Sequence, residues 1–73
     1  MRLPSLTAQK IIRVLKRIGF HEARQTGSHL ILLHNETKKI VPIPLHSGDI
    51  KRGLLMGIIK QSGLTVDEFI GLL

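Results

Sequence analysis

The chain of 73 residues has no cysteine, no tryptophan and no tyrosine, and only two phenylalanines and three prolines. Without cysteine there is neither a disulfide framework nor a thiolate metal site, which fits a reducing, cytoplasmic setting. With Phe20 and Phe69 as its only aromatic rings, the chain lacks the platforms on which single-strand binders stack successive bases. Recognition of backbone and shape suits this composition better. No apolar run approaches the roughly 20 residues of a membrane span. The opening Met1-Arg2-Leu3-Pro4-Ser5 leads into no long apolar segment, so neither a signal peptide nor a membrane association is expected. Acidic residues are also scarce. Five Asp and Glu stand against eleven Lys and Arg, a formal net charge of +6. Such a surplus on a small body attracts polyanions, RNA or DNA above all, although an acidic protein partner suits the same charge.

Length sets the next bound. A chain this short buries only roughly 60% of its unfolded surface, so one domain over residues 1–73 with one core is expected, and a deep substrate cavity is not. Any active site must be shallow and open to a polymer or to another protein.

Thr7 offers an N-cap hydroxyl, after which Ile11, Ile12, Leu15 and Ile18 recur at helical spacing with Lys10, Arg13, Lys16 and Arg17 largely opposite. Gly19 ends that helix. Its basic side is either a solvated face or a phosphate-binding ridge, and spacing does not choose. Phe20 to Gln25 reads as a first strand, with a turn at Thr26-Gly27. Ser28 to His34 is the second strand, and Asn35-Glu36-Thr37-Lys38 is rich in turn formers. Lys39 to Ile43 is the third, an edge because Pro42 cannot donate to a ladder. In the second strand His29, Ile31 and Leu33 share one face, and Leu30 and Leu32 the other. Both faces are apolar, so one is left for a partner or a second copy of the chain.

Asp49 is placed to favour the start of a further helix, running through Leu54, Leu55, Ile58 and Ile59 to a stop at Gly63. Gly53 and Gly57 lie inside it, each costing about 1 kcal/mol against alanine, which points to close packing or close approach of a ligand. Thr65 and Glu68 match a capping box that opens a short final helix carrying Phe69, Leu72 and Leu73. The expected fold class is therefore α+β: α-β-β-β-α with a short C-terminal helix, and helices on one face of a three-stranded antiparallel sheet.

The tripeptide Gly27-Ser28-His29 stands out, because it sets an imidazole at the mouth of a strand just past a glycine turn. Histidine trades protons near neutral pH, and a strand end is rigid yet open to solvent. The plainer alternative is a surface histidine that ends a hairpin. Its company favours a site. The series Gly19-Phe20, Arg24, Gly27-Ser28-His29, Val41-Pro42, His46-x-Gly48, Gly53 and Ile59-Lys60-Gln61-Ser62-Gly63-Leu64 resembles the HicA family of toxins, in order and spacing, from about Thr7 to Phe69. The resemblance implies a fold like the double-stranded-RNA-binding domain and an mRNA interferase, the ribonuclease toxin of a type II toxin–antitoxin system. It also implies a HicB-type antitoxin that masks the site, with room for higher-order toxin–antitoxin assembly. The family's functional histidine falls on His29. The chain departs from commoner versions at Leu54-Leu55-Met56-Gly57, where a threonine or serine and a basic residue often stand; RNA contacts on that helix are left unassigned.

RNA carries its own nucleophile, the 2′-hydroxyl, so a ribonuclease must take that proton, stabilise charge on the phosphate and help the 5′-oxygen leave. Neutral His29 suits the first role. Arg24 and Lys38 or Lys39 are the nearest cations by hairpin logic and suit the second. Gly27 lets the backbone approach a phosphate, and Ser28 either donates to a phosphate oxygen or caps the turn. His46 is the candidate second proton carrier or phosphate contact, whereas His21 and His34 read as solvated. No histidine pair has metal-ligand spacing and no carboxylate cluster suits two-metal work, so metal-independent chemistry without a cofactor is expected. Two rivals remain: a noncatalytic RNA-binding module in which His29 only touches phosphate, and an interaction protein whose charge serves an acidic partner. Salt separates the last from the others. RNA affinity measured by fluorescence anisotropy should fall about tenfold or more between about 50 and about 200 mM salt, and absence of salt-sensitive binding selects the acidic-partner reading.

Overall fold

Ile11, Val14 and Leu15 recur at helical spacing, and they are the side chains that α1 (Ala8–Arg17) buries. The computed structural model describes residues 3–45 and 48–73. Thr7 caps α1 by accepting from the Lys10 amide, and Lys16 and Arg17 set positive charge at its last turn, where the helix dipole favours it. Three strands follow, β1 (Phe20–Thr26), β2 (His29–His34) and β3 (Ile40–Pro44), in one antiparallel sheet of order β1-β2-β3. Then come α2 (Arg52–Ser62) and α3 (Val66–Gly71). This is the expected α+β arrangement, consistent with a double-stranded-RNA-binding-domain-like fold. Strand ends differ from expectation by one residue because Gly27 and Ser28 alone form the first turn.

The helices cover one sheet face. Leu30, Leu32, Val41 and Ile43 meet Ile11, Leu15, Leu55, Ile58, Ile59 and Phe69 in a single cluster of buried side chains. Side chains of a strand alternate between faces, so burying Leu30 and Leu32 turns His29, Ile31 and Leu33 outward. Their cross-strand partners are Thr26, Arg24 and His21 on β1 and Pro44, Pro42 and Ile40 on β3. This second face stays largely open, with Ile40 59% exposed and Ile31 and Leu33 only half-buried. The face left for a partner is thus the one that carries His29.

Strand β3 is the expected edge, and its prolines fall where they do no harm. His34 N donates to Lys39 O, and Leu45 N donates to Ser28 O. Alternation then turns the backbone groups of Ile40, Pro42 and Pro44 away from β2, so neither proline removes a ladder bond. Both remove a donor from the free edge, which discourages strand addition there.

Two local expectations are corrected. Asp49 does not cap α2: it forms an isolated bridge with Thr7, and Ile50 N donates to Leu6 O. Pairing of this segment with Leu6 and Thr7 delays the helix to Arg52, and its N-cap Lys51 makes no side-chain cap bond. Gly53 and Gly57 do not mark close packing, since a Cβ on either would meet nothing within 4 Å. At about 1 kcal/mol each against alanine, neither has a packing reason to be glycine.

His34 is corrected as well. It was expected to be solvated, yet it is half-buried and fully engaged. Five residues after His29 on the same strand, it faces the helices. Its Nδ1 accepts from the amides of Glu36 and Thr37, both at 3.2 Å. Its Nε2 lies 2.9 Å from Ile18 O. Two donors at Nδ1 assign the neutral tautomer with hydrogen on Nε2, which donates to that carbonyl. The ring also meets Phe20 edge-on, centroids 5.2 Å apart. One imidazole thus ties the end of α1 to the β2–β3 turn. Gly19, at φ +106°, leaves it room, for a Cβ there would come within 2.6 Å of Nε2. Replacing His34 by alanine should destabilise the fold by roughly 1–3 kcal/mol in urea titrations, and Gly19→Ala should do likewise through its left-handed backbone.

Candidate functional site

The site begins with a turn. Thr26 and His29 close the β1–β2 hairpin around Gly27 and Ser28. Gly27 has φ +54° and Ser28 is not in the positive-φ region, the pattern of a type II′ turn with glycine first. Turn geometry therefore accounts for Gly27 and, through the bond from Leu45 N to its carbonyl, for the Ser28 backbone. It does not account for the imidazole. His29 is exposed, and its contact within the chain is Ser28 Oγ, 3.5 Å from Nδ1. His34 is occupied with folding and His21 is exposed at the far end of the sheet. His46 lies outside the described residues. Among the described histidines His29 alone combines a rigid strand end with freedom from structural duty.

Arg24 shares the face of His29 through an irregularity that periodicity did not reveal. Register shifts by one between Glu22 and Arg24, leaving Ala23 unpaired. Without that shift Arg24 would oppose Leu30 on the helix side. With it, Arg24 opposes Ile31 on the open face, diagonal to His29 at roughly 7–8 Å between backbones. A guanidinium spans that gap easily. Glu22 stays on the helix side and pairs with Lys16. The signal missed in the sequence is small: a bulge at an exposed alanine.

Lys38 and Lys39 are not the neighbours hairpin logic suggested. His29 pairs with Pro44, whereas Lys39 pairs with His34. Five residue steps, roughly 17 Å, separate the two ends of β2. Lys39 extends over the end of α2 instead, where a Cβ on Gly63 would lie 2.6 Å from its ammonium. Lys38 holds the turn at φ +62°. The expected cationic cluster is therefore split. Arg24 shares the open face with His29, while exposed Lys10, Arg13, Lys16 and Arg17 form a basic ridge on α1, in the helical layer. Two of those are already engaged, Lys16 with Glu22 and Arg17 with Leu72 O.

Sequence reading also missed a groove. Between α2 and the β3 edge lies a shallow depression of roughly 230 Å³, lined by His29, Pro42, Pro44, Leu54, Gly57, Ile58 and Gln61. It is apolar apart from His29 and Gln61. Leu54 and Met56, 46% and 44% exposed, extend the apolar surface along α2. Among the described residues, no group of three His, Asp or Glu could hold a metal.

The family model for the HicA toxin of bacterial toxin–antitoxin systems matches residues 8–64, from α1 through the end of α2. The chain belongs to the HicA toxin family. None of the curated proteins compared with it matches. This HicA chain is accordingly a toxin of a toxin–antitoxin system, and the family implies an antitoxin partner. No helix among its described residues is long and apolar enough to cross a membrane. The matched residues include the turn, His29, Arg24 and the whole groove. Because His29 is exposed and outside the buried core, His29→Ala in this toxin should change unfolding free energy by less than about 0.5 kcal/mol in urea titrations, in contrast to His34→Ala.

Proposed function

We propose that this toxin is a metal-independent endoribonuclease that cleaves mRNA with His29 as general base, and that a HicB-type antitoxin inhibits it by covering the open sheet face. The observation that carries this reading is the position of His29, a free imidazole on a rigid strand end beside Arg24 on an uncovered face.

The chemistry follows from what RNA brings. His29, with Nδ1 toward the Ser28 hydroxyl, takes the 2′-hydroxyl proton on Nε2. The 2′-oxygen then bonds to phosphorus, the bond to the 5′-oxygen breaks, and a 2′,3′-cyclic phosphate remains. Arg24 stabilises charge on the phosphate as it develops. Gly27, without a side chain, and the Ser28 hydroxyl border the same approach. Protonation of the leaving 5′-oxygen is a role for which His46 remains the sequence candidate. Lys38 and Lys39, at the other end of β2, serve RNA strands that extend beyond the cut.

Scarcity of carboxylates and the intrinsic 2′-nucleophile favour metal-free chemistry. The half-buried Ile31 and Leu33 and the exposed Ile40, on the face that carries His29, favour a protein partner that buries apolar surface. A partner seated there excludes RNA from the imidazole by occupancy alone. The cytoplasm, where mRNA is found, is the setting this activity requires.

The test uses purified full-length chain, end-labelled single-stranded RNA and excess EDTA. Wild type should cut and leave 2′,3′-cyclic ends; His29→Ala, folded by circular dichroism, should be slower by about a hundredfold or more. Arg24→Ala should retain the fold and also cut more slowly. RNA binding without cleavage by the wild type would make the chain a noncatalytic RNA-binding module, and 3′-hydroxyl products would reject the mechanism.

A further inference from the structure

We propose that the groove between α2 and the β3 edge is a subsite for one unpaired nucleobase next to the scissile phosphate, kept open by Gly57 and read by the side-chain amide of Gln61. The inference rests on the ribonuclease reading above and adds a specificity element to it.

Position comes first. His29 itself lines the groove, so whatever fills it lies next to the residue that takes the 2′-proton. Size comes next. At roughly 230 Å³ the groove falls below the range of about 300–1,000 Å³ that holds drug-sized ligands, enough for a base and too little for a peptide segment. Chemistry agrees. Among the described residues no lysine or arginine lines it, so it is no phosphate pocket. Its walls are the rings of Pro42 and Pro44 and the side chains of Leu54 and Ile58, suited to the flat apolar faces of a base. Gln61 adds one amide, a donor and an acceptor together, which is what the edge of a base presents. A base in a duplex hides that edge, whereas unpaired bases splay out and are read along it.

Gly57 supplies a second, independent observation. Its φ is not positive, and a Cβ there would meet nothing within 4 Å. Neither backbone nor packing asks for glycine in the middle of this helix, yet the residue borders the groove. Leucine at this border position would narrow the room left for a base.

The experiment compares wild type, Gly57→Leu and Gln61→Leu as purified full-length proteins on a randomised single-stranded RNA pool, with cleaved ends sequenced. Gly57→Leu should melt a few degrees higher than wild type, since leucine favours a helix over glycine, yet cut about tenfold more slowly. Wild type should prefer particular bases at one position beside the cut, and Gln61→Leu should lower that preference about tenfold. An abasic nucleotide at that position should slow wild type by about as much as the Gly57→Leu substitution does, and should not slow Gly57→Leu further. Wild-type rates and base preference in both variants would overturn the subsite while leaving the ribonuclease reading intact. So would a Gly57→Leu protein that cuts normally but escapes its co-expressed antitoxin, because the groove would then belong to the protein partner. Failure of wild type to cut any RNA would remove the ribonuclease reading, and this proposal with it.

Discussion

Leu30 and Leu32 enter the core under the helices only if His29, Ile31 and Leu33 turn the other way. Alternation along one strand thus sets the whole layout of this toxin. The same parity aims His34, at the other end of the six residues of β2, back toward the helices, where it binds Ile18 O and the following turn. Two histidines of one strand therefore have opposite fates. One is consumed by folding and the other is left exposed on the open face, and the core decides which. The site is what remains when the apolar face of the sheet has been satisfied.

Charge is distributed by the same constraint, and it divides. The ridge on α1 follows the helix's solvent side. Lys38 and Lys39 follow the β2–β3 turn, far from His29. Arg24 comes onto the face that carries the imidazole, because one unpaired residue in β1 reverses its facing. Under the proposed function, long-range attraction of RNA and local stabilisation of phosphate are thus tasks of different residues. The first needs only net charge, felt over roughly a Debye length; the second needs a guanidinium at a particular register.

The open face carries two demands that compete for one surface. In the proposed function an antitoxin buries the apolar residues of this face, whereas a substrate needs access to the imidazole. A flat sheet edge whose prolines withhold donors resists pairing with stray strands, so side-chain complementarity must select the partner. The groove along α2 adds relief to that surface, with glycine at its border where the helix alone would favour another residue.

Much of this was legible in the sequence. Helical spacing in α1, the turn residues between strands, the capping box at Thr65 and Glu68, realised by both of its bonds, and period-two alternation in β2 are local signals. They act through neighbours one to four residues away, so they determine the α+β order, the edge strand and the position of His29 after its turn. Tertiary structure decided what depends on meetings between distant residues. His34 looked solvated because its partner, Ile18 O, lies sixteen residues earlier. Hairpin proximity alone sets Lys38 and Lys39 near His29, whereas the β2–β3 register puts them at the other end of β2, and the pairing of Asp49 with Thr7 takes it away from the cap position. The shift at Ala23 left no pattern in the sequence, and the interior glycine Gly57 hinted at a ligand without showing the groove. A bulge and an empty space are properties of two surfaces set against each other, and the chain's order names only one surface at a time.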